Sequence, residues 1–233
     1  MRTAQERLIE AAKDGDLPSL RKAILDGVDP AGKSAALRRA AKKGHLECVM
    51  ELLPISDPTA GESAALRGAA KNGHVDCVKA LIPVSDPKAC DSEALLLAAE
   101  RGHLCCVKEL LPHCDPKARD SVALQGAARR GCIDCVRELI PVSDPQVCGS
   151  MALRAAAKNG HLDCVNELLP YCDSNHDSII RASRGLPLAD AAAANGHLAV
   201  AIHIEAYLLA IAEAREIEAV VPAVRNRAAR RRI

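Results

Sequence analysis

The stretch Ser34-Ala35-Ala36-Leu37-Arg38-Arg39-Ala40-Ala41-Lys42-Lys43-Gly44-His45-Leu46-Glu47-Cys48-Val49-Met50-Glu51-Leu52-Leu53-Pro54-Ile55-Ser56-Asp57-Pro58 returns four more times, opening at Ser63, Ser92, Ser121 and Ser150. Its glycine keeps the register. Gly15, Gly44, Gly73, Gly102, Gly131 and Gly160 stand 29 residues apart, and Gly196 follows after an insertion of seven. A period of this size specifies a stacked array in which each copy buries its apolar face on its neighbours.

Within a copy the pattern reads as two helices. Ser34 or its equivalent stands where an N-cap is expected, and the Ala-Leu and Ala-Ala pairs supply a narrow apolar stripe at helical spacing. Gly44-His45 turns the chain. The second helix should run from about His45 to Leu53 and stop at Pro54, with Leu46, Cys48, Val49, Leu52 and Leu53 inside. A Ser-Asp-Pro or Cys-Asp-Pro turn follows.

These features divide the chain in order. Residues 1–33 hold a diverged copy with extra charge, as expected of an N-terminal cap, and 34–173 hold five regular copies. Residues 174–185 are the insertion, 186–221 a C-terminal capping copy with a long helix, and 222–233 a tail with Arg225, Arg227, Arg230, Arg231 and Arg232. Pro187 suits the first turn of a helix, and Pro222 is expected to end or kink the last one.

With no Phe, no Trp and two Tyr, the core must be built from Ala, Leu, Val, Ile and Cys. Of eleven cysteines, Cys48, Cys77, Cys106, Cys135 and Cys164 recur at one helical position that asks for a small hydrophobe. The odd count, the absence of an apolar signal core after Met1 and the absence of a membrane-length apolar run point to free thiols in a reducing, cytoplasmic interior. Export by a route without a cleaved signal stays open. Cys90, Cys105, Cys114, Cys148 and Cys172 lie off the repeated position.

The run Ala-Leu-x-x-Ala-Ala-x-x-Gly-His-x-x-Cys-Val-x-x-Leu-Leu resembles the ankyrin repeat, over residues 5 to about 210 in seven copies. The resemblance implies an all-α solenoid of paired helices that binds other proteins. Ankyrin repeats usually run about 33 residues, and the residues missing here fall where that family projects a β-hairpin finger. Ala36 and its equivalents replace the family's Pro, while Arg38, Arg67, Leu96, Gln125 and Arg154 replace its His. Fingers should therefore be short or absent. Shortened arrays with the Ser-Asp-Pro turn are similar to those of bacterial and large-virus ankyrin proteins.

His-x-x-Cys recurs at His45/Cys48, His74/Cys77, His103/Cys106 and His161/Cys164, a metal-ligand spacing on paper. Zinc needs four converging ligands, whereas the Cys belongs to the buried stripe and the His to the turn. Cys132/Cys135 lacks the sheet context of a redox pair. With no nucleophile elbow, phosphate-binding loop or paired-carboxylate site, the expectation is a non-enzyme without metal or cofactor.

The net charge of +1 conceals a segregation by face. Solvent positions of the first, inner helices carry Arg38, Arg39, Lys42, Lys43, Arg67, Lys71, Arg101, Arg129, Arg130, Arg154 and Lys158 against Glu93 and Glu100. Those of the outer helices carry Glu47, Glu51, Asp76, Glu109, Asp134, Glu138, Asp163 and Glu167 against Lys79, Lys108 and Arg137. Favourable placement on helix dipoles accounts for part of this bias, though not for mid-helix Arg38, Arg67 and Arg154. Leu96 and Leu97 interrupt the basic stripe, and Gly68 and Gly126 remove bulk from it, as in a protein-binding hot spot. The expected partner is a protein with an acidic surface, bound on the concave face, with the chain acting as an inhibitor, immunity protein or effector. Two rivals remain: nucleic-acid binding through the basic groove and arginine tail, although no aromatic stacking platform is present, and an oligomerisation scaffold built on the helix near 197–219.

Overall fold

A computed structural model describes residues 3–171 and 187–230, with side chains described outside 147–150 and 215–230. The insertion 174–185, Cys172 and the side chain of Cys148 lie outside this description. Seven helix pairs follow one another: α1 (Ala4–Asp14) and α2 (Leu17–Leu25), α3 (Pro30–Lys43) and α4 (Leu46–Leu52), α5 (Ala60–Asn72) and α6 (Val75–Leu81), α7 (Ala89–Glu100) and α8 (Leu104–Leu110), α9 (Ala118–Arg130) and α10 (Ile133–Leu139), α11 (Val147–Lys158) and α12 (Leu162–Leu168), and α13 (Leu188–Ala194) and α14 (Leu198–Arg230). There is no strand among the described residues. The architecture is the all-α solenoid that the repeat period dictates, without hairpin fingers.

Each pair is set by a few residues. In the second copy Asp29 caps α3 by accepting from the Gly32 N–H, with Pro30 at the first helical position. Gly44, at φ 82°, ends that helix in the left-handed conformation. The second helix closes at Leu52, and Pro54 sits in the single 3-10 turn Leu53–Ile55 that follows. One leucine is fully buried on each of α1 to α12, including Leu37, Leu66, Leu95 and Leu124 on first helices and Leu52, Leu81, Leu110 and Leu139 on second helices. Each such side chain contributes roughly 1.5–3 kcal/mol by leaving water.

First helices stack on first helices and second on second, making two layers. The first layer is the more closely packed, because Ala36, Ala40 and Ala41 and their equivalents let backbones approach. A stack with one tighter layer bends toward it, so the first helices form its inner side.

Ser34, Ser63, Ser92 and Ser121, which open four of the copies, do not act as helix N-caps. Ser63, Ser92 and Ser121 are the last of three consecutive residues in left-handed conformation, Gly61–Ser63, Cys90–Ser92 and Arg119–Ser121. Their hydroxyls accept from the backbone N–H of Asp86, Asp115 and Asp144, and Ser34 from that of Asp57, at 2.8–3.0 Å. The serine thus ties the start of its copy to the Asp-Pro turn at the end. This left-handed turn stands where a hairpin finger would project. It costs about 1–2 kcal/mol for each non-glycine residue, which the buried hydrogen bond and the surrounding packing offset.

At the C-terminal end Pro187 precedes the first residue of α13 instead of lying in its first turn. Helix α14 runs through Pro222 to Arg230. A proline removes one backbone hydrogen bond, and here the turns on either side remain helical. Among the described residues no helix is long and apolar enough to cross a membrane.

Candidate partner-binding face

The repeated His and Cys have separate structural tasks. The Nε2–H of His45, His74, His103 and His161 donates to the main-chain carbonyls of Lys13, Lys42, Lys71 and Arg129 at 3.0–3.1 Å, linking each copy to the one before. A carbonyl only accepts, which fixes the hydrogen on Nε2. The cysteines lie in the core, where burial pushes the thiols of Cys77, Cys106 and Cys164 up to about 11 and that of Cys135 up to about 12. A buried, protonated thiol is a packing group. Among the described residues no three His, Cys, Asp or Glu groups converge as metal ligands do. Cys132 replaces the turn histidine, and its thiol reaches the Glu100 carbonyl only at 3.8 Å.

Of the off-core cysteines, Cys105 is exposed and Cys114 is buried, its thiol pushed up to about 11 by burial. Cys90 donates to the Glu62 carboxylate at 2.6 Å, and that bond is the chief cause raising its pKa.

Charge on the outer layer is neutralised by a ladder between copies. Arg21 pairs with Glu51, Lys79 with Glu109, Lys108 with Glu138 and Arg137 with Glu167, at 2.9–3.5 Å. Each cation reaches the acid 30 residues later, one position beyond the repeat. Met50 with Ala80, and Asn166 with His203, occupy the steps of this series that lack a charge pair. Glu51, Glu109, Glu138 and Glu167 therefore belong to stacking, and Glu47, Asp76, Asp134 and Asp163 are the exposed acids of this layer.

The inner layer divides differently. Arg67, half-buried, pairs with Glu93 and donates to the Gly61 carbonyl at 2.9 Å, bracing the left-handed turn below it. Arg129 and Arg130 both reach Glu100, at 2.9 and 3.4 Å. Arg154 is half-buried and engaged. Arg38, Arg39, Lys42, Lys71, Arg101 and Lys158 are exposed and form no ion pair with another described residue. At the centre, Leu96, Val122, Gly126, Met151 and Ala155 line an open depression of about 230 Å³, edged by Gln125 and Arg129. Leu96 lies over Gly126, where an added Cβ would stand 2.9 Å from a Leu96 methyl. Leu97 is half-buried and lies outside the depression. The sequence reading missed Val122, Met151 and Ala155, which lie on two different helices and meet only through stacking.

An ankyrin-repeat profile matches residues 8–89, 66–147 and 124–210. The crystal structure of the human ASB11 ankyrin repeat domain superposes with a TM-score of 0.69 at 22% identity, over 84% of this chain and 96% of that one. No curated protein matches. The three matched segments run without a gap from residue 8 to residue 210, and the chain belongs to the ankyrin-repeat family.

Proposed function

We propose that the chain is a non-catalytic scaffold that binds an acidic surface of another protein along its inner helices. One contrast carries this reading: outer-layer cations are spent on the acids of the next copy, while Arg38, Arg39, Lys42, Lys71, Arg101 and Lys158 on the inner layer are exposed without such partners. The apolar depression among α7, α9 and α11 supplies the desolvated centre that a charged rim lacks. Arg67, Arg129 and Arg130 brace this face and contribute to its potential, and Leu97 and Arg154 flank its centre. Ankyrin repeats generally serve as protein-binding scaffolds, which supports the assignment.

Occlusion of a partner's surface, as by an inhibitor, immunity protein or effector, requires no chemistry from the chain. Its buried free thiols suit a reducing, cytoplasmic setting. In domain terms, the five regular copies bear the face and the two terminal copies close the stack.

The test is affinity capture from the native source with mass spectrometry, using the wild-type chain, an inner-face variant (Arg39→Glu, Lys71→Glu, Arg101→Glu) and an outer-face variant (Glu47→Lys, Asp76→Lys). Proteins held by the wild type and the outer-face variant but lost from the inner-face variant support the proposal. Retention by all three removes it. Enrichment of nucleic acid that disappears on deleting residues 224–233 favours the phosphate-binding rival.

A further inference from the structure

We infer that the occupant of the inner face is an acidic helix of the partner protein, lying antiparallel to α9, with a carboxylate at the C-terminal ends of the inner helices and an aliphatic side chain four residues later in the depression at Leu96. This rests on the partner-binding reading and adds the form and register of what is bound. The apolar depression of about 230 Å³ has a charged neighbour, an open cavity of about 400 Å³ lined by Glu100, Arg129, Arg130 and Asn159, and Arg129 borders both. They are two levels of one groove. Glu100 follows Leu96 by four residues, Arg130 follows Gly126 by four and Asn159 follows Ala155 by four, so every wall rises about 6 Å from the apolar level to the charged one. Gly126, having no side chain, leaves the apolar level open, and Met151, 43% exposed, stands beside it. At that size the depression is smaller than the roughly 300–1,000 Å³ of small-molecule sites and suits a single side chain.

The charged level is unbalanced. Arg129 and Arg130 share the Glu100 carboxylate at 2.9 and 3.4 Å, so two cations meet one acid and a single positive charge is left over. Glu100 is the inner member, its side chain 17% exposed against 55% for each arginine. Arg130 uses Nε for this bond, and its two terminal nitrogens are bonded to no described residue. One further carboxylate therefore balances the cluster and meets an open planar fork. A phosphate group, at about −1.5 to −2, would overshoot that charge beside Glu100.

Spacing and dipoles select a helix and its direction. The levels are set by four-residue rows of α7, α9 and α11, and a helix laid along them presents its own side chains in rows of the same spacing. Glu100 and Arg130 are the last residues of α7 and α9, and Asn159 caps α11, so the charged level coincides with three C-terminal, partly negative helix ends. An antiparallel helix brings its partly positive N-terminal end there, where a carboxylate in its first turn is favoured by its own dipole. A parallel helix would add a fourth negative end and place its carboxylate at the unfavourable terminus. The occupant therefore reads carboxylate first, aliphatic group four residues later.

Fluorescence anisotropy of the full chain at low salt, with three labelled alanine-based helical peptides of one composition, tests this. The first probe carries Glu near its N-terminus and Leu four residues later, the second has the two exchanged, and the third has Leu two residues after Glu, on another face. The first should bind about tenfold tighter than the others. Glu100→Gln removes the competing carboxylate and should tighten it by about threefold, while Ala155→Leu fills the depression and should weaken it by about tenfold, both with unchanged helical circular dichroism. Equal affinity for the three probes, no binding of the first, or undiminished affinity in a folded Ala155→Leu variant overturns the inference, and the probe comparison on the wild type decides it even if that variant does not fold. Equal affinities that are lost in the Arg39→Glu, Lys71→Glu, Arg101→Glu variant would overturn this register and leave the broader inner-face reading standing. Equal affinities that survive in that variant would remove both.

Discussion

His74 donates its Nε2–H to the carbonyl of Lys42, 32 residues earlier and 3.1 Å away, while its ring fills the space above Gly44. One side chain thus satisfies a terminal carbonyl of the preceding inner helix and packs on the glycine that ends it. His74→Ala removes both contacts and should lower stability by about 1–2 kcal/mol, read as a fall in the urea midpoint. Cys132 marks the place where this link is weak, because a thiol is a poor donor and stands 3.8 Å from the Glu100 carbonyl. Cys132→His should raise stability by about 0.5–1 kcal/mol.

The glycine side of that contact is stricter. At Gly44 φ is 82° and an added Cβ would stand 2.4 Å from His74 Nδ1. Gly44→Ala combines left-handed strain of about 1–2 kcal/mol with displacement of the ring. The expected loss exceeds that of His74→Ala, and equal midpoints for the two variants would refute the packing described.

Left-handed turns provide a test of the opposite sign. Arg119 stands at φ 47° where the third copy has Gly61 at φ 63°. Arg119→Gly relieves strain and should stabilise by up to about 1 kcal/mol after the entropy cost of glycine. Ser121→Ala removes the buried acceptor for the Asp144 N–H and should destabilise by about 1–2 kcal/mol. Thermal melts of both variants decide the matter.

Local signals in the sequence were sufficient for the fold and insufficient for some residue roles. Helix pairs follow from apolar spacing and the Gly-His turn, which are properties of one copy. Ser63 carries the signature of an N-cap, yet its hydroxyl is taken by Asp86, 23 residues on. Arg67 reads as a solvent cation because Glu93, which pairs with it, lies on the next copy. The outer ladder is hidden for the same reason, with partners offset by 30 in a chain that repeats at 29. Pro222 signals a break, whereas α14 continues to Arg230.

Alkali should unfold the array through its core thiols. Their pKa values are raised from 9.0 to about 11–12 in the folded chain by burial. Below pH 9 the thiols are protonated in both states and stability does not depend on them. As pH rises past 9, the unfolded chain releases these protons while the folded chain holds them, so stability falls, and the fall continues until about pH 11–12. Melting temperature should decline steeply from pH 9 upward, and a flat profile to pH 11 would contradict the burial. At pH 8 a thiol reagent should modify exposed Cys105 well before Cys77, Cys106, Cys135 and Cys164.

The central claim is that recognition resides on the unpaired cations of the inner helices. Arg101 is exposed and ion-paired to no described residue, and its reversal should cost the fold no more than about 1 kcal/mol of helix-dipole energy. The direct measurement is a titration of a captured partner against wild type and Arg101→Glu at low and high salt. The account predicts at least a tenfold weaker complex for Arg101→Glu at low salt, a marked loss of wild-type affinity as salt rises, and convergence of the two at high salt. Equal affinities at low salt, unchanged by added salt, would contradict it.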